Sequence, residues 1–170
     1  MKIYQTLPAV LLFFGMFALS CQLMDEVEEV FPGFVLEEGK LYEVSGKAPY
    51  SGKVTDYYDD GTLKMEGHYE EGVQKLIIYY YQNGNKRSKV DRTGEVDEMT
   101  TWFESGQKQE EFLPGLIREW YENGQLMAKV QLDEFKNYHG DMKMWDEDGN
   151  LITHEIYENG EFVERRNIEY

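Results

Sequence analysis

The chain has 170 residues, of which 33 are acidic and 17 basic, so its formal net charge is −16. A surface of that sign repels nucleic-acid phosphates and anionic lipid headgroups, so we expect no nucleic-acid partner and no electrostatic contact with a membrane. The sequence holds one cysteine, which excludes an internal disulfide framework. The length allows one domain of ordinary size.

The first 20 residues are predicted to be a signal peptide. Residues 7–19 form an apolar run that follows Lys2, and the run is too short for a bilayer-spanning helix, which needs about 20 residues. Ala18-Leu19-Ser20 then precedes Cys21, in a pattern similar to a bacterial lipobox, so lipidation of Cys21 is predicted. The alternatives are a soluble signal peptide cut near Ser20 and a free buried thiol.

This interpretation places the protein outside the cytoplasm. We expect an exported lipoprotein of the outer membrane or cell surface, with the periplasm as the alternative. Contact with the membrane is expected only through the lipid anchor. With Lys2 removed, the mature chain has 33 acidic and 16 basic residues, a net charge of −17.

The rest of the chain divides by composition. Residues 21–33 are acidic and are predicted to be a lipid-anchored tether. Residues 34–53 are predicted to form a degenerate leading hairpin around Glu38-Gly39. Residues 54–164 carry a repeat, and residues 165–170 are predicted to be a C-terminal tail.

One short pattern recurs five times, with one or two aromatic residues, then polar residues, then a glycine. The copies are Tyr57-Tyr58-Asp59-Asp60-Gly61, Tyr80-Tyr81-Gln82-Asn83-Gly84, Trp102-Phe103-Glu104-Ser105-Gly106, Trp120-Tyr121-Glu122-Asn123-Gly124 and Trp145-Asp146-Glu147-Asp148-Gly149. Successive glycines lie 23, 22, 18 and 25 residues apart, so the loops between copies differ in length. A repeat of this period indicates one supersecondary unit stacked along the chain.

The end of each copy predicts a hairpin turn. The turn glycines are Gly61, Gly84, Gly106, Gly124 and Gly149. Asn-Gly and Asp-Gly reach the left-handed backbone region at low cost, which two-residue hairpin turns require. The flanking runs are rich in Tyr, Trp, Phe, Val and Ile, which fit strands. A single hairpin is marginally stable in water, so neighbouring copies are expected to bury one another's faces.

The five copies together resemble the MORN repeat, and more closely the bacterial variant found in proteins labelled antitoxin-like (YwqK-like). Gly46-Lys47-Ala48-Pro49-Tyr50-Ser51-Gly52-Lys53 resembles the usual opening of that variant. The resemblance covers about residues 34–164. It implies an all-β fold, an elongated single-layer antiparallel sheet of tandem β-hairpins, and a role in protein interaction or scaffolding.

Adjacent aromatic residues in a strand point to opposite faces, so stacked copies are predicted to lay one aromatic row on each side of the sheet. Most rings are expected to pack against one another, and a minority to recognise a partner. The candidate partner-binding aromatics are Tyr58, Tyr81, Trp102, Trp120, Tyr121 and Trp145.

The histidines and acidic loops do not predict a catalytic or metal site. His68, His139 and His154 share neither a repeat position nor a ligand spacing, which favours solvated or strand-face roles over zinc binding. Residues 146–150 resemble the start of a calcium loop, but Tyr157 stands where an EF-hand needs an acid. A turn is therefore favoured there, and a weak surface calcium site stays open. We predict no catalytic residue, no metal and no cofactor.

The predicted function is that of a non-catalytic protein-interaction or scaffold module on an exported lipoprotein. One alternative is an antitoxin or immunity-type protein that neutralises a toxin. A further alternative is a carbohydrate-binding or carbohydrate-active envelope protein, because 33 acidic residues always leave some plausible carboxylate pair. A purely structural envelope lipoprotein is also left open.

Overall fold

The computed structural model describes residues 33–168. The predicted signal peptide, Cys21, the tether up to residue 32 and the last two residues of the tail lie outside this range. The described residues form thirteen strands. They are β1 (Phe34–Glu37), β2 (Lys40–Glu43), β3 (Gly52–Tyr57), β4 (Leu63–Glu70), β5 (Val73–Tyr80), β6 (Lys86–Asp91), β7 (Glu98–Trp102), β8 (Lys108–Leu113), β9 (Leu116–Trp120), β10 (Leu126–Leu132), β11 (Tyr138–Trp145), β12 (Leu151–Glu158) and β13 (Glu161–Arg165).

The strands form a continuous meander. β3 to β13 make one open sheet of 11 strands in chain order, each antiparallel to the next, and β1 pairs with β2 alone. The prediction of an all-β, single-layer antiparallel sheet of tandem hairpins is confirmed. Residues 33–168 contain no helix that is long and apolar enough to cross a membrane.

The two faces of the large sheet differ in polarity, because residues paired across neighbouring strands share a face. On the apolar face one register row runs Val54, Gly67, Ile77, Val90, Met99, Phe112, Ile117, Val130, Met142 and Glu155. On the charged face the corresponding row is Thr55, Glu66, Ile78, Lys89, Thr100, Glu111, Arg118, Lys129, Lys143 and His154. The buried side chains of the apolar face are the core of the protein.

The turns of the meander lie along two edges of the sheet. One edge, here called the motif edge, collects the five glycine motifs in turns 58–62, 81–85, 103–107, 121–125 and 146–150. The opposite edge holds three two-residue turns of the large sheet, at Glu71-Gly72, Pro114-Gly115 and Asn159-Gly160, and the longer connections 92–97 and 133–137. The repeat therefore brings all its motifs to one side of the molecule.

The prediction of two-residue turns is wrong for the motif edge. In the turn at residues 81–85, Gly84 has a positive φ of 86° whereas Asn83 does not. The Gly84 N–H donates to the Tyr81 carbonyl at 2.9 Å, and the Tyr81 N–H donates to the Asn85 carbonyl at 2.8 Å. This is a three-residue loop, a type I turn followed by a left-handed glycine. Two-residue turns with positive φ at both residues occur instead at Glu38-Gly39, Glu71-Gly72 and Asn159-Gly160.

Asn and Asp therefore serve the motif turns through their side chains. The Asn83 side-chain oxygen accepts the Asn85 N–H at 2.9 Å, and Asp60 and Asn123 accept the equivalent N–H groups of their own turns. Such side-chain to backbone bonds are the usual reason for Asx residues in turns.

The leading hairpin closes one end of the core. β1 and β2 pair around Glu38-Gly39, and the Leu41 N–H donates to the Gly72 carbonyl at 2.9 Å. Leu41 is 3% exposed and packs with Val54 and Met65. The structure places Gly52 and Lys53 in β3, so the sheet begins two residues before residue 54.

Candidate interaction surface

The first aromatic of each motif ends a strand. Tyr57, Tyr80, Trp102, Trp120 and Trp145 are the last residues of β3, β5, β7, β9 and β11. Each pairs with the first residue of the following strand, and these partners are Leu63, Lys86, Lys108, Leu126 and Leu151. Because Thr101 lies on the apolar face, Trp102 beside it lies on the charged face. We call these ten residues the aromatic row.

The aromatic row recurs along the motif edge as one pair in each of the five motif hairpins. Ten strands spaced by about 4.8 Å give it a length of about 43 Å. Tyr57 is 56% exposed, and the other four rings are partly exposed. Lys86 Nζ lies 5.7 Å from the Trp102 ring centroid, and Lys108 Nζ lies 5.6 Å from that of Trp120. These distances are within the range of a cation–π contact.

The second aromatic of the motif has a different role. Tyr58, Tyr81 and Tyr121 lie in turns, where each hydroxyl donates to the backbone carbonyl of the residue that ends the next motif strand. The distances are 2.7 Å from Tyr58 to Tyr80, 2.8 Å from Tyr81 to Trp102 and 3.0 Å from Tyr121 to Trp145. We call these three residues the cross-turn tyrosines. The regular strand ends at the first ring, so the second ring lies in the turn.

The six candidate aromatics therefore fall into two sets. Trp102, Trp120 and Trp145 belong to the aromatic row, and the cross-turn tyrosines tie neighbouring motif turns together. Tyr57 and Tyr80 were not among the predicted candidates, although each holds the same motif position as a tryptophan. Their position within the repeat would have identified these two tyrosines as candidates.

Ion pairs cover the charged face next to the aromatic row. Lys53 and His68 contact Glu66 at 2.5 Å and 2.7 Å, and hydrogen bonding to Lys53 lowers the pKa of the Glu66 carboxyl. Arg118 and Lys108 both contact Glu111, which is 8% exposed. Because these charged side chains pair with one another, the partly exposed rings of the aromatic row are the main apolar surface on this face.

An acidic pair interrupts the apolar face. Glu110 on β8 and Glu119 on β9 are direct register partners. Burial, and secondarily the charge of Glu119, raises the pKa of Glu110 to about 7, and burial also raises the pKa of Glu119. This pair was not predicted from the sequence. The two-residue Pro114-Gly115 turn could have revealed it, because a hairpin closed by Leu113 and Leu116 aligns Glu110 with Glu119.

The histidines and the acidic loop have local partners. His68 contacts Glu66, and His154 contacts Asp141 at 2.5 Å. The Asp146 carboxylate accepts the backbone N–H groups of Asp148 and Asn150, as expected of a turn. Within residues 33–168 no group of three His, Cys, Asp or Glu side chains could hold a metal ion.

The hairpin repeat can be compared with known families. The model of the MORN repeat variant matches residues 50–71, 113–134 and 138–160. The chain is a MORN-repeat protein. Each matched MORN segment contains one complete motif turn, at 58–62, 121–125 or 146–150. No curated protein matches the sequence.

The MORN repeats also extend through the middle of the sheet. Turns 81–85 and 103–107 lie outside the matched segments, yet their glycines have the same positive φ, 86° and 91°. Their backbone bonds, Gly84 to Tyr81 and Gly106 to Phe103, both measure 2.9 Å. Five equivalent motif hairpins therefore supply β3 to β12, and β13 adds the eleventh strand of the sheet.

Proposed function

We propose that this MORN-repeat protein is a non-catalytic interaction module that binds a protein partner along its aromatic row. The observation that supports this most directly is the recurrence of the row's paired residues in all five motif hairpins, on the edge where every motif turn lies. A repeat protein commonly offers such an extended surface to a partner.

The composition of the row suits recognition of a protein. Trp and Tyr bury large area at low entropic cost and dominate interface hot spots. Trp102 and Trp120 lie at the centre of the row, each with a lysine over its ring. The backbone beneath them is paired on both sides, because β7 and β9 are interior strands. A partner would therefore meet a preorganised surface.

The partner experiment uses the full chain, with Trp102→Ala and Trp120→Ala tested separately and together. We expect affinity capture from membranes to recover a protein that the double variant retains at least tenfold less, because truncating a hot-spot residue costs about 2 kcal/mol or more. Phe135→Ser is the matched control, since Phe135 is 76% exposed but lies on the opposite edge.

Recovery of a partner that binds the double variant as well as wild type would contradict the role of the aromatic row. A captured toxin would identify the immunity-type alternative. Recovery of a glycan and no protein, with weaker retention by the double variant, would favour the carbohydrate-binding alternative.

We further propose that the module is exported and anchored through Cys21, with the acidic residues that follow as its tether. The apolar run before Cys21 and its lipobox-like flank support this. Wild type should incorporate a labelled fatty acid and sediment with membranes, and Cys21→Ser should do neither. An unlabelled wild-type chain would contradict lipidation and leave the interaction module untouched.

A further inference from the structure

The cross-turn hydrogen bonds are missing at one junction between motif turns. Phe103 occupies the position of the cross-turn tyrosines, and its ring has no hydroxyl to donate. Ser105 occupies the position of Asn83 and Asn123, whose amides donate to the Glu104 and Glu147 carbonyls at 2.8 Å and 3.1 Å. Turn 103–107 therefore lacks both the bonds through which two other motif turns hold the next turn.

The apolar core is divided at the same place. One buried cluster consists of Leu41, Val54, Met65, Ile77 and Val90, and a second consists of Ile117, Val130 and Met142. Only partly buried side chains, Met99 and Phe112, lie between them in the same row. The parallel row of the apolar face is polar here, with Ser88, Thr101, Glu110 and Glu119 in register.

The acidic pair lies inside this gap. Its register neighbours are Thr101 on β7 and Ala128 on β10, which carry no charge. From β11 it faces Tyr138, whose pKa is raised to about 12 by burial, so that its phenol stays neutral near pH 7. Turn 133–137 contributes one cationic side chain, that of Lys136, whose Nζ lies 5.6 Å from the Phe112 ring centroid.

The neighbouring charges on β8 and β9 lie on the other face of the sheet. Glu111 and Arg118 are register partners there, and Lys108 joins them. Within the described chain neither Glu110 nor Glu119 forms a salt bridge. The two carboxyl groups therefore oppose each other on the apolar face without a compensating cation.

We propose that strands β8 and β9 form a proton-dependent joint between two separately stabilised halves of the repeat sheet. Three independent features coincide there, namely the missing cross-turn bonds, the gap between the buried clusters and the opposed carboxyl groups. When either carboxyl is protonated the repulsion disappears. When both ionise, like charges face each other in partly desolvated surroundings, and local opening exposes them to water.

The direction of the pH dependence follows from linkage. Glu110 has a pKa of about 7 in the closed sheet, above its ordinary value of 4.5. The open form therefore loses its proton first as the pH rises. Closed-state stability at the joint is highest below the ordinary pKa and decreases as the pH rises toward about 7.

Amide hydrogen exchange of the full chain, read by mass spectrometry at about pH 5.5 and about pH 7.5, tests the joint. After correction for intrinsic exchange, we expect the opening equilibrium constant of β8 and β9 to increase about tenfold or more from the lower to the higher pH. Glu110→Gln, which keeps the shape and removes the charge, should abolish most of that increase. Glu98→Gln on the exposed end of β7 should keep it.

Glu119→Gln is the second variant and should reduce the increase less than Glu110→Gln does, because it removes the repulsion but leaves the Glu110 carboxyl buried. A wild-type ratio below threefold would overturn the joint, and so would an unchanged ratio in both glutamine variants. This test is independent of partner capture, since it needs no ligand.

Discussion

At the residue scale, one tyrosine hydroxyl in three of the five motifs ties neighbouring units together. Tyr58, Tyr81 and Tyr121 each donate to a backbone carbonyl more than 20 residues further along the chain. Such bonds link units that otherwise touch only through strand pairing and side-chain packing. The motif thus encodes both the local turn and the contact to the next unit.

Replacing this hydroxyl should change stability in opposite directions at two equivalent positions. Tyr81→Phe should lower the free energy of unfolding by about 1 kcal/mol, because a hydrogen bond of this kind contributes about that much. Phe103→Tyr should raise it by a similar amount, because the new hydroxyl can reach the Trp120 carbonyl as its equivalents do. Urea denaturation with an unchanged m-value is the measurement.

If wild type and both variants had equal free energies of unfolding, the cross-turn bonds would be no more favourable than the hydrogen bonds that the same groups make with water in the unfolded chain. Tyr157→Phe is a useful reference, because its hydroxyl donates to Glu155 at 3.0 Å within its own strand. That variant reports the loss of a tyrosine hydroxyl without the loss of a link between units.

At the element scale, the two edges of the sheet use different turns for different reasons. The motif turns need only one left-handed residue, the glycine, and each is followed by one extra residue, a β-bulge, in the next strand. These extra residues are Lys64, Arg87, Gln109, Met127 and Ile152. A repeated bulge at one edge adds local twist in every unit.

The faces of the strands follow from alternation once the register is known. The pattern Val54, Asp56 on one face and Lys53, Thr55 on the other can be read from the sequence, but the partner of each residue cannot. At β8 and β9 the short Pro114-Gly115 turn fixes the register, so the opposed Glu110 and Glu119 were in principle predictable. At the motif edge the bulge after each turn shifts the register by one residue, so counting residues outward from the turn does not give the correct strand partners there.

At the scale of the whole molecule, the sheet is an array in which each unit contacts its neighbours. Its two ends are closed differently. The leading hairpin packs Leu41 onto the first cluster, and at the other end Arg165 donates to Glu155 at 3.0 Å. Glu155 is 7% exposed, so this ion pair stands where a further apolar strand residue would otherwise be.

Leu41→Ala should destabilise the array unevenly. We expect a loss of about 2–5 kcal/mol, because Leu41 is 3% exposed and its removal leaves a cavity against Val54 and Met65. Hydrogen exchange should accelerate more in β3 to β5 than in β10 to β12, since the second cluster lies beyond the central strands. Leu36→Ala, at a residue 43% exposed in the same hairpin, should have little effect.

Uniform acceleration across all strands would mean that the array unfolds as one cooperative unit. That result would contradict the proposal that the two buried clusters stabilise separate halves of the sheet.

The sequence by itself determined the repeat, the strand class and the positions of the motif turns, because glycine, Asx and aromatic residues act through local backbone preferences. It could also place Trp102, Trp120 and Trp145 in equivalent positions. Only the tertiary structure decided that the second aromatic leaves the strand, that its hydroxyl bonds to the next unit and that Glu110 lies partly buried on the apolar face opposite Glu119. These features depend on register and burial. Both are set by the pairing between strands, so the sequence of a single repeat does not reveal them.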